Sequence, residues 1–555
     1  MKSKFFLLLN ILFLPTVLLL AQNRVNFHQS NGKVRSVHFD DVDLVSFQNN
    51  NSVAQFLFSS SLQADYSISL LDSLTFLNDL SNTESFLSAY SRDVSFSDSD
   101  DNQYNELEEF IVTDPEDNDY NDFIENYPIE GTITITYNGS SATVSGSYKF
   151  VEVKTNGAHV TVMSAQKKMN YILKGSTQNG SFKIYSDNKF KLELSGLDIT
   201  NPRGPALNIQ TGKSVYIYLK PGTTNNLTDG LIYDSNPYED QKGALFSEGQ
   251  LLISGLGSLN VTSLSAHGIC SDDYIRIRQG TGDITVNAFR DGISTNDYFL
   301  MYGGNLNLTA GDDGIDVNKG KVNIMGGRLT VNSFDDAVCA TYGTNDTTSI
   351  SIAGGLIKLY TSGNKGHGLI TSGVMNLTGG VIQITTNGDA SKAIKCDQNI
   401  NIDGSRLTMM VNGDPFFNED VLDYSSSAGI RCLKSLSIKN SIIGIKNSGV
   451  GGKGINVAGD ISINNSDITV ITTGESLYSD HGNVRPRGID GINIDLSEGI
   501  NAFIRSSHNA IYAESDLKIG ASEIYSFTTS TTAKSVNVKG VISQTDGLLL
   551  FGATD

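Results

Sequence analysis

Three stretches, HGICSDDYIRI (267–277), DGISTNDYFLM (291–301) and DGIDVNKGKVNI (313–324), are copies of one line: a small turn, an apolar triplet, then a second short strand. Further copies are KGALFSEGQLLI (242–253), DAVCATYG (336–343), HGLITSGVMNL (367–377) and KAIKCDQNINI (392–402). AGIRCLKSLSI (428–438), KGINVAGDISI (453–463), DGINIDLSEGI (490–500) and NAIYAESDLKI (509–519) continue the series. A third strand follows most copies after a Gly pair, as in GGNLNLTA, GGRLTVNS, GGLIKLYT and GGVIQITT. Starts at 242, 267, 291, 313 and 336 give a period of about 22–25 residues, and a fixed period in the range of about 20–50 marks a stacked array. Three short strands per period, with Gly turns and no 3.6-residue periodicity, predict an all-β parallel β-helix, a solenoid of three-strand rungs.

One rung buries only a few apolar side chains, at about 1.5–3 kcal/mol each. Ordering its backbone costs about 1–2 kcal/mol per residue. Neighbouring rungs must therefore share a core and a hydrogen-bond ladder. Ile269, Ile293, Ile315, Val338, Leu369, Ile394, Ile430, Ile455, Ile492 and Ile511 are read as one inward stack. Later rungs are longer, and the extra residues, chiefly DPFFNEDVLDYSSS (414–427) and GESLYSDHGNVRPR (474–487), are loops that leave the coil. Such insertions cluster on one face, often the binding face.

Composition agrees. The 555 residues hold 55 Gly and 9 Pro, about 10% and under 2% against averages of about 7% and 5%. Gly suits rung turns that need positive φ, and scarce Pro suits strands that must keep their N–H ladder. The net charge of −20 and pI near 4.7 exclude nucleic acid as a partner, which needs a basic patch. The same acidity disfavours anionic membrane surfaces. Low charge content and 39% hydrophobic residues exclude wholesale disorder.

Residues 1–21 read as a secretory signal peptide: Lys2 and Lys4, an apolar run from Phe5 to Leu20, then Ala21. The run is shorter than the roughly 20 residues of a spanning helix, so cleavage and a mature chain of charge −22 without a stable membrane span are expected. Residues 22–78 form a leader with two hairpin-like repeats, the first turning at Asn31-Gly32. Residues 79–130 hold 16 acidic residues and one basic residue, Arg92, and read as a solvated acidic linker. Residues 131–555 are the β-helix.

Asp291, Asp313 and Asp336 take one position in three consecutive rungs, with Asp312, Asp335 and Asp316 beside them. Neighbouring strands lie about 4.8 Å apart, and like charges near 4 Å repel by about 4 kcal/mol at an effective dielectric of 20. Protonation, Lys or Arg partners, or a cation must offset this. Spacing alone leaves a cation and a simple Asp preference for turns equally open. Cys270, Cys339, Cys396 and Cys432 fall on repeat positions, with Cys396 and Cys432 in matching register, and read as an inward stack rather than a disulfide. No HExxH and no GxSxG elbow is present, so nucleophilic hydrolysis is rejected.

The stretch from Thr132 onward resembles a family of secreted bacterial carbohydrate-binding domains. The resemblance rests on KLELSGLDITNPRGPALNI (191–209), GTTNNLTDG (222–230), KGALFSEGQLLISGLGSLNVTS (242–263) and the DDGI-type turns at 312–315 and 335–338. It implies a right-handed parallel β-helix of the polysaccharide-lyase-like superfold, Ca²⁺ as cofactor, and polysaccharide partners of cellulose-like or polygalacturonate-like type. Ca²⁺ is then expected at Asp291, Asp312, Asp313, Asp316, Asp335 and Asp336. Arg290, Lys319 and Arg328 lie close to these in sequence and are carbohydrate-contact candidates. With no Trp, the flat faces must come from Phe and Tyr, and Phe416, Phe417, Tyr424 and Tyr478 in the inserts are the candidates. Phe416 and Phe417 equally suit packing of the loop onto the coil. The expected protein is secreted or at the cell surface and binds acidic or plant-cell-wall glycans without catalysis. The alternatives are a Ca²⁺-dependent uronate lyase and an adhesin or scaffold.

Overall fold

A computed structural model describes residues 92–96, 104–341 and 348–553, together with the backbone of six strands between Arg24 and Leu77. From Gly131 the chain winds into a parallel β-solenoid. The first strand of each rung joins a 16-stranded sheet, and the second and third strands join a 28-stranded sheet. The rung Ile293–Thr295, Tyr298–Met301, Asn305–Ala310 is typical. Its strands pair in parallel with Ile315–Val317, Lys321–Ile324 and Arg328–Ser333 of the next rung.

The inward stack forms as the repeat requires. Ile269, Ile293, Ile315, Val338, Leu369, Ile394, Ile430 and Ile455 are partners in successive registers, and all are fully buried. One member differs from the expectation. The residue between Ile455 and Ile511 is Ile489, whereas Ile492 is 40% exposed. Two Gly-Ile pairs occur here, and the chain uses the first. A Cβ on Gly488 would lie 2.4 Å from the Ala510 carbonyl oxygen and 2.5 Å from Ile504 Cγ2, so this position accepts only glycine. Cys396 and Cys432 are register partners, and all four Cys are free and buried. At the Gly-pair turn, Gly304, Gly327, Gly355 and Gly380 have φ between 79° and 90°, a conformation costly for other residues.

The leader backbone forms two three-stranded antiparallel sheets. Strands Arg24–Gln29 and Val34–His38 are antiparallel partners, as the hairpin signal predicts. The Asn31-Gly32 turn and the signal segment 1–21 lie outside the described residues.

Where it is described, the acidic stretch keeps most of its carboxylates exposed, as its composition predicts, but it does not hang free as a linker. It is a strap laid along the 28-stranded sheet, running against the direction of the rungs. Arg92 Nη2 donates to Asn501 Oδ1 at 2.7 Å, and Val94 is buried beside Gly444. Further along, the Asn105 carbonyl accepts from Gly355 N and Leu107 N donates to the Met325 carbonyl. Arg276, only 2% exposed, pairs with Glu109 and Asp122, each at 2.9 Å, while Arg278 reaches Glu125 at 2.8 Å. The fully buried ring of Phe123 lies 4.8 Å from the Arg276 guanidinium carbon and 4.5 Å from that of Arg278. Tyr216 Oη then donates to the Asn121 carbonyl and Tyr127 Oη to that of Lys189, just before the strap enters the first rung. Cations and aromatic rings far away in sequence withdraw Glu109, Asp122 and Phe123 from solvent, while most of the other carboxylates stay exposed.

The register at the rung of Ile489 is directly testable. Ile489→Ala should cost about 2–5 kcal/mol of stability in urea unfolding, whereas Ile492→Ala should change it by under about 0.5 kcal/mol. Equal losses would contradict the column described here.

Candidate functional site

The residue two places before the inward aliphatic on the first strand forms a second column at a corner of the solenoid. In rung order it reads His267, Asp291, Asp313, Asp336, His367, Lys392, Ala428, Lys453 and Arg487. The first six are linked by bonds from the following Gly or Ala N–H to the next member's carbonyl, for example Gly292 N to Asp313 O and Gly314 N to Asp336 O, both 2.9 Å. The rest are register partners. The column therefore changes sign along the solenoid, from carboxylates to cations.

In the acid half, each carboxylate caps the backbone of the next rung. Asp291 Oδ1 accepts from Asp313 N at 3.3 Å, Asp313 Oδ1 from Asp336 N at 2.8 Å, and Asp336 Oδ1 from His367 N at 2.7 Å. Asp291 Oδ2 faces His267 Nδ1 at 2.9 Å. Ligand atoms converge within 4.8 Å in two sets: Asp312, Asp313 and Asp335, and Asp313, Asp316 and Cys339. Asp291 and Asp336 join neither set. Asp316 is 8% exposed and its Oδ1 has no hydrogen-bond partner.

Burial, then the charges of Asp336, Asp291 and Asp316, push the Asp313 carboxyl up to about 9 from an ordinary 3.8. Burial and Asp291 push Asp316 up to about 7, and burial and Asp335 push Asp336 up to about 7. Like charges and desolvation thus hold protons on the stack unless a cation replaces them. The oxygen donors of Asp312, Asp313 and Asp335 suit a hard cation such as Ca²⁺, and the orphaned Asp316 oxygen belongs to the second set, which shares Asp313. The Cys339 thiol, whose pKa is raised by burial, does not suit one.

The basic half was not singled out in the sequence. Lys392 and Lys453 are 8% and 9% exposed. Burial and neighbouring Lys395, Arg431 and Lys365 lower Lys392 to about 7; burial and Arg487 do the same to Lys453. Lys392 Nζ donates to the Ala390 carbonyl at 2.5 Å and to Ser425 Oγ at 2.8 Å, and Lys453 Nζ donates to the Arg485 carbonyl. Arg487 lies 3.5 Å over the Tyr512 ring and pairs with Asp490 at 2.8 Å. Its Nε and that of Arg485 are buried without partners. The signal was present: Lys or Arg stands at the turn position in KAIKC, KGINV and RGIDG.

Both inserts rise over this basic half as short hairpins, Phe416–Asn418 with Asp423–Ser425, and Leu477–Ser479 with Gly482–Val484. Phe417 packs against Tyr424 at 4.9 Å and His481 at 4.8 Å with tilted rings, joining one hairpin to the other. Phe416 is half-buried under Lys365 Nζ at 4.2 Å. These three aromatics serve packing, whereas Tyr478, 64% exposed, offers an open ring. Arg290 is exposed beside the acid stack, and Lys319 is exposed past the far end of strand Ile315–Val317. Arg328 does not join them; it opens strand Arg328–Ser333 with its guanidinium 5.2 Å from Tyr104 of the strap.

Residues 156–415 match the family model of carbohydrate-binding domain-containing proteins. The matched segment includes the whole acid half of the column and stops at the first hairpin. A carbohydrate-binding domain-containing protein of Acetivibrio thermocellus is 29% identical over 160 residues, 27% of this chain and 55% of that protein, so the match spans about half the relative's length. A solved structure described as the polysaccharide lyase-like protein from C. thermocellum, a gadolinium derivative, aligns at 21% identity with a TM-score of 0.36, covering 55% of this chain and 96% of that one.

The acid stack has a pH signature. A carboxyl raised in the folded state binds protons that the unfolded chain has released, so stability falls as pH rises from about 4 towards the folded pKa. In chelator, Asp313→Asn should lose this component and be more stable than wild type at pH 8, by thermal unfolding. A variant less stable than wild type at both pH 5 and pH 8 would contradict the raised Asp313 carboxyl.

Proposed function

We propose that this is an exported, non-catalytic polysaccharide-binding protein that recognises acidic or plant-cell-wall glycans with the help of Ca²⁺. The observation that carries the reading is the signed column: stacked carboxylates with an orphaned buried oxygen, continuing on one corner into buried cations beneath paired hairpins, on a chain with a carbohydrate-binding domain match. Asp312, Asp313, Asp335 and Asp316 would hold the cation. Bound there, Ca²⁺ supplies positive charge and open coordination positions for uronate carboxylates or hydroxyls. Arg290 adds a cation at the rim, and Tyr478 offers a flat apolar face to the C–H side of a sugar ring. This arrangement accounts for how a chain of charge −20 holds a polyanion. Export is inferred from residues 1–21.

Lyase chemistry is the second reading, favoured by the lowered pKa of Lys392 and Lys453, which leaves neutral amine available near pH 7. Both amines are buried and donate to carbonyls beneath the hairpins, which favours a structural role. Incubation with polygalacturonate should therefore release no unsaturated uronate absorbance.

Affinity electrophoresis in polygalacturonate should retard the Ca²⁺-loaded protein, and excess EDTA should weaken binding at least tenfold. Asp312→Asn with Asp313→Asn should do the same and reduce bound calcium in metal analysis. Binding unchanged by EDTA would rule out the cation bridge.

A further inference from the structure

Beside the acid stack, on the other side of the same turn, lies an open groove of about 830 Å³. That is within the range of about 300–1,000 Å³ usual for small-ligand sites. The groove spans four successive rungs, and the last three set its gap. Phe289, Gly311 and Phe334 each follow the last residue of the third strand, and Gly311 N and Phe334 N bond back to Ala288 O and Ala310 O. The rungs are about 4.8 Å apart, so the two Phe residues attach about 9–10 Å apart with glycine between them. No side chain fits at the middle position, because a Cβ on Gly311 would lie 2.2 Å from the Phe289 carbonyl oxygen. Phe334 leans over Gly363, where a Cβ would meet its ring at 3.1 Å, and this keeps the gap open.

Phe289 and Phe334 are 66% and 60% exposed, which is unusual for two large rings facing one gap. The opposite wall is an uncharged polar ladder of Thr262, Asn287 and Thr309, register partners on successive third strands. Arg290 and Asp312 stand on the rim. Asp312 also belongs to the converging carboxylate set, so groove and cation site share a residue. All of these residues fall inside the segment matched to the carbohydrate-binding domain family, whereas both hairpins lie at or beyond its end.

We propose that this groove is the primary sugar-binding subsite, in which one pyranosyl unit of a uronate-bearing polysaccharide lodges over Gly311. Its C–H faces lie against Phe289 and Phe334, its hydroxyls bond to Asn287 and Thr309, and its carboxylate turns to Arg290. Van der Waals contact at about 3.5–4.0 Å on both faces fits the two-rung gap. The inference rests on the polysaccharide-binding reading above and moves the flat apolar contact from Tyr478 to the turn at Gly311.

The test uses full-length Ca²⁺-loaded protein with polygalacturonate and with uncharged hydroxyethylcellulose. Phe289→Ala and Phe334→Ala should each weaken polygalacturonate binding by roughly three- to tenfold with an unchanged thermal midpoint, and Tyr478→Ala should weaken it less. Arg290→Ala should weaken binding to polygalacturonate and leave hydroxyethylcellulose unaffected. If wild type binds polygalacturonate and both Phe variants match it, the groove is overturned and the broader reading stands. If wild type binds neither polymer, that reading falls and the groove with it. Self-association lost in the Phe variants, with glycan binding intact, would make the groove a contact between copies and overturn the proposal.

Discussion

Everything in this protein depends on the contact of one rung with the next. A single turn of three short strands has too little apolar area to offset its own ordering, and its backbone groups on both edges are unpaired. Stacking solves both problems at once, through shared aliphatic columns and a parallel ladder. The solution constrains each repeat position separately. What stands at one position meets the same position above and below, so a column of Ile is cooperative and a column of charge is strained.

The corner column shows the strained case. Asp at a turn is locally favourable because its oxygen caps a nearby N–H, and Asp291, Asp313 and Asp336 all do so across rungs. Repetition then brings three carboxylates into line, and the cost appears as retained protons. The later rungs reverse the sign with Lys392, Lys453 and Arg487 and cover them with hairpins. The solenoid thereby builds two opposite electrostatic environments from one backbone position. Neither arises from a special loop geometry.

The rung architecture, the aliphatic column and the acid stack were legible because each is written in repeats about 22–25 residues apart. Gly491-Ile492 imitates Gly488-Ile489 in sequence, and only the strand register, which pairs Ile489 with Ile455 and Ile511, separates them. The basic column was harder to see because long inserts at 414–427 and 474–487 break the period between its members. Phe416 and Phe417 have the expected residue types but spend their faces on Lys365, Tyr424 and His481. The docking of the strap is illegible for a different reason. Acidic composition reports the cost of dehydration and is silent about partners such as Arg276, which come from another part of the chain.

The strap's direction has a consequence for the order of assembly. Its residues precede the solenoid in the chain, yet Arg92 needs Asn501, Asn105 needs Gly355 and Gly380, and Glu109 needs Arg276 and Arg278. A solenoid can grow rung by rung from local contacts. The strap cannot close until rungs near both ends exist, so the segment made before the solenoid is completed after it. It acts as a longitudinal tie, and pulling on the chain N-terminal to Arg92 would load its contacts one after another, starting at the C-terminal rungs. Mechanical opening would then peel the tie from one end, while the rungs beneath it kept their own ladder.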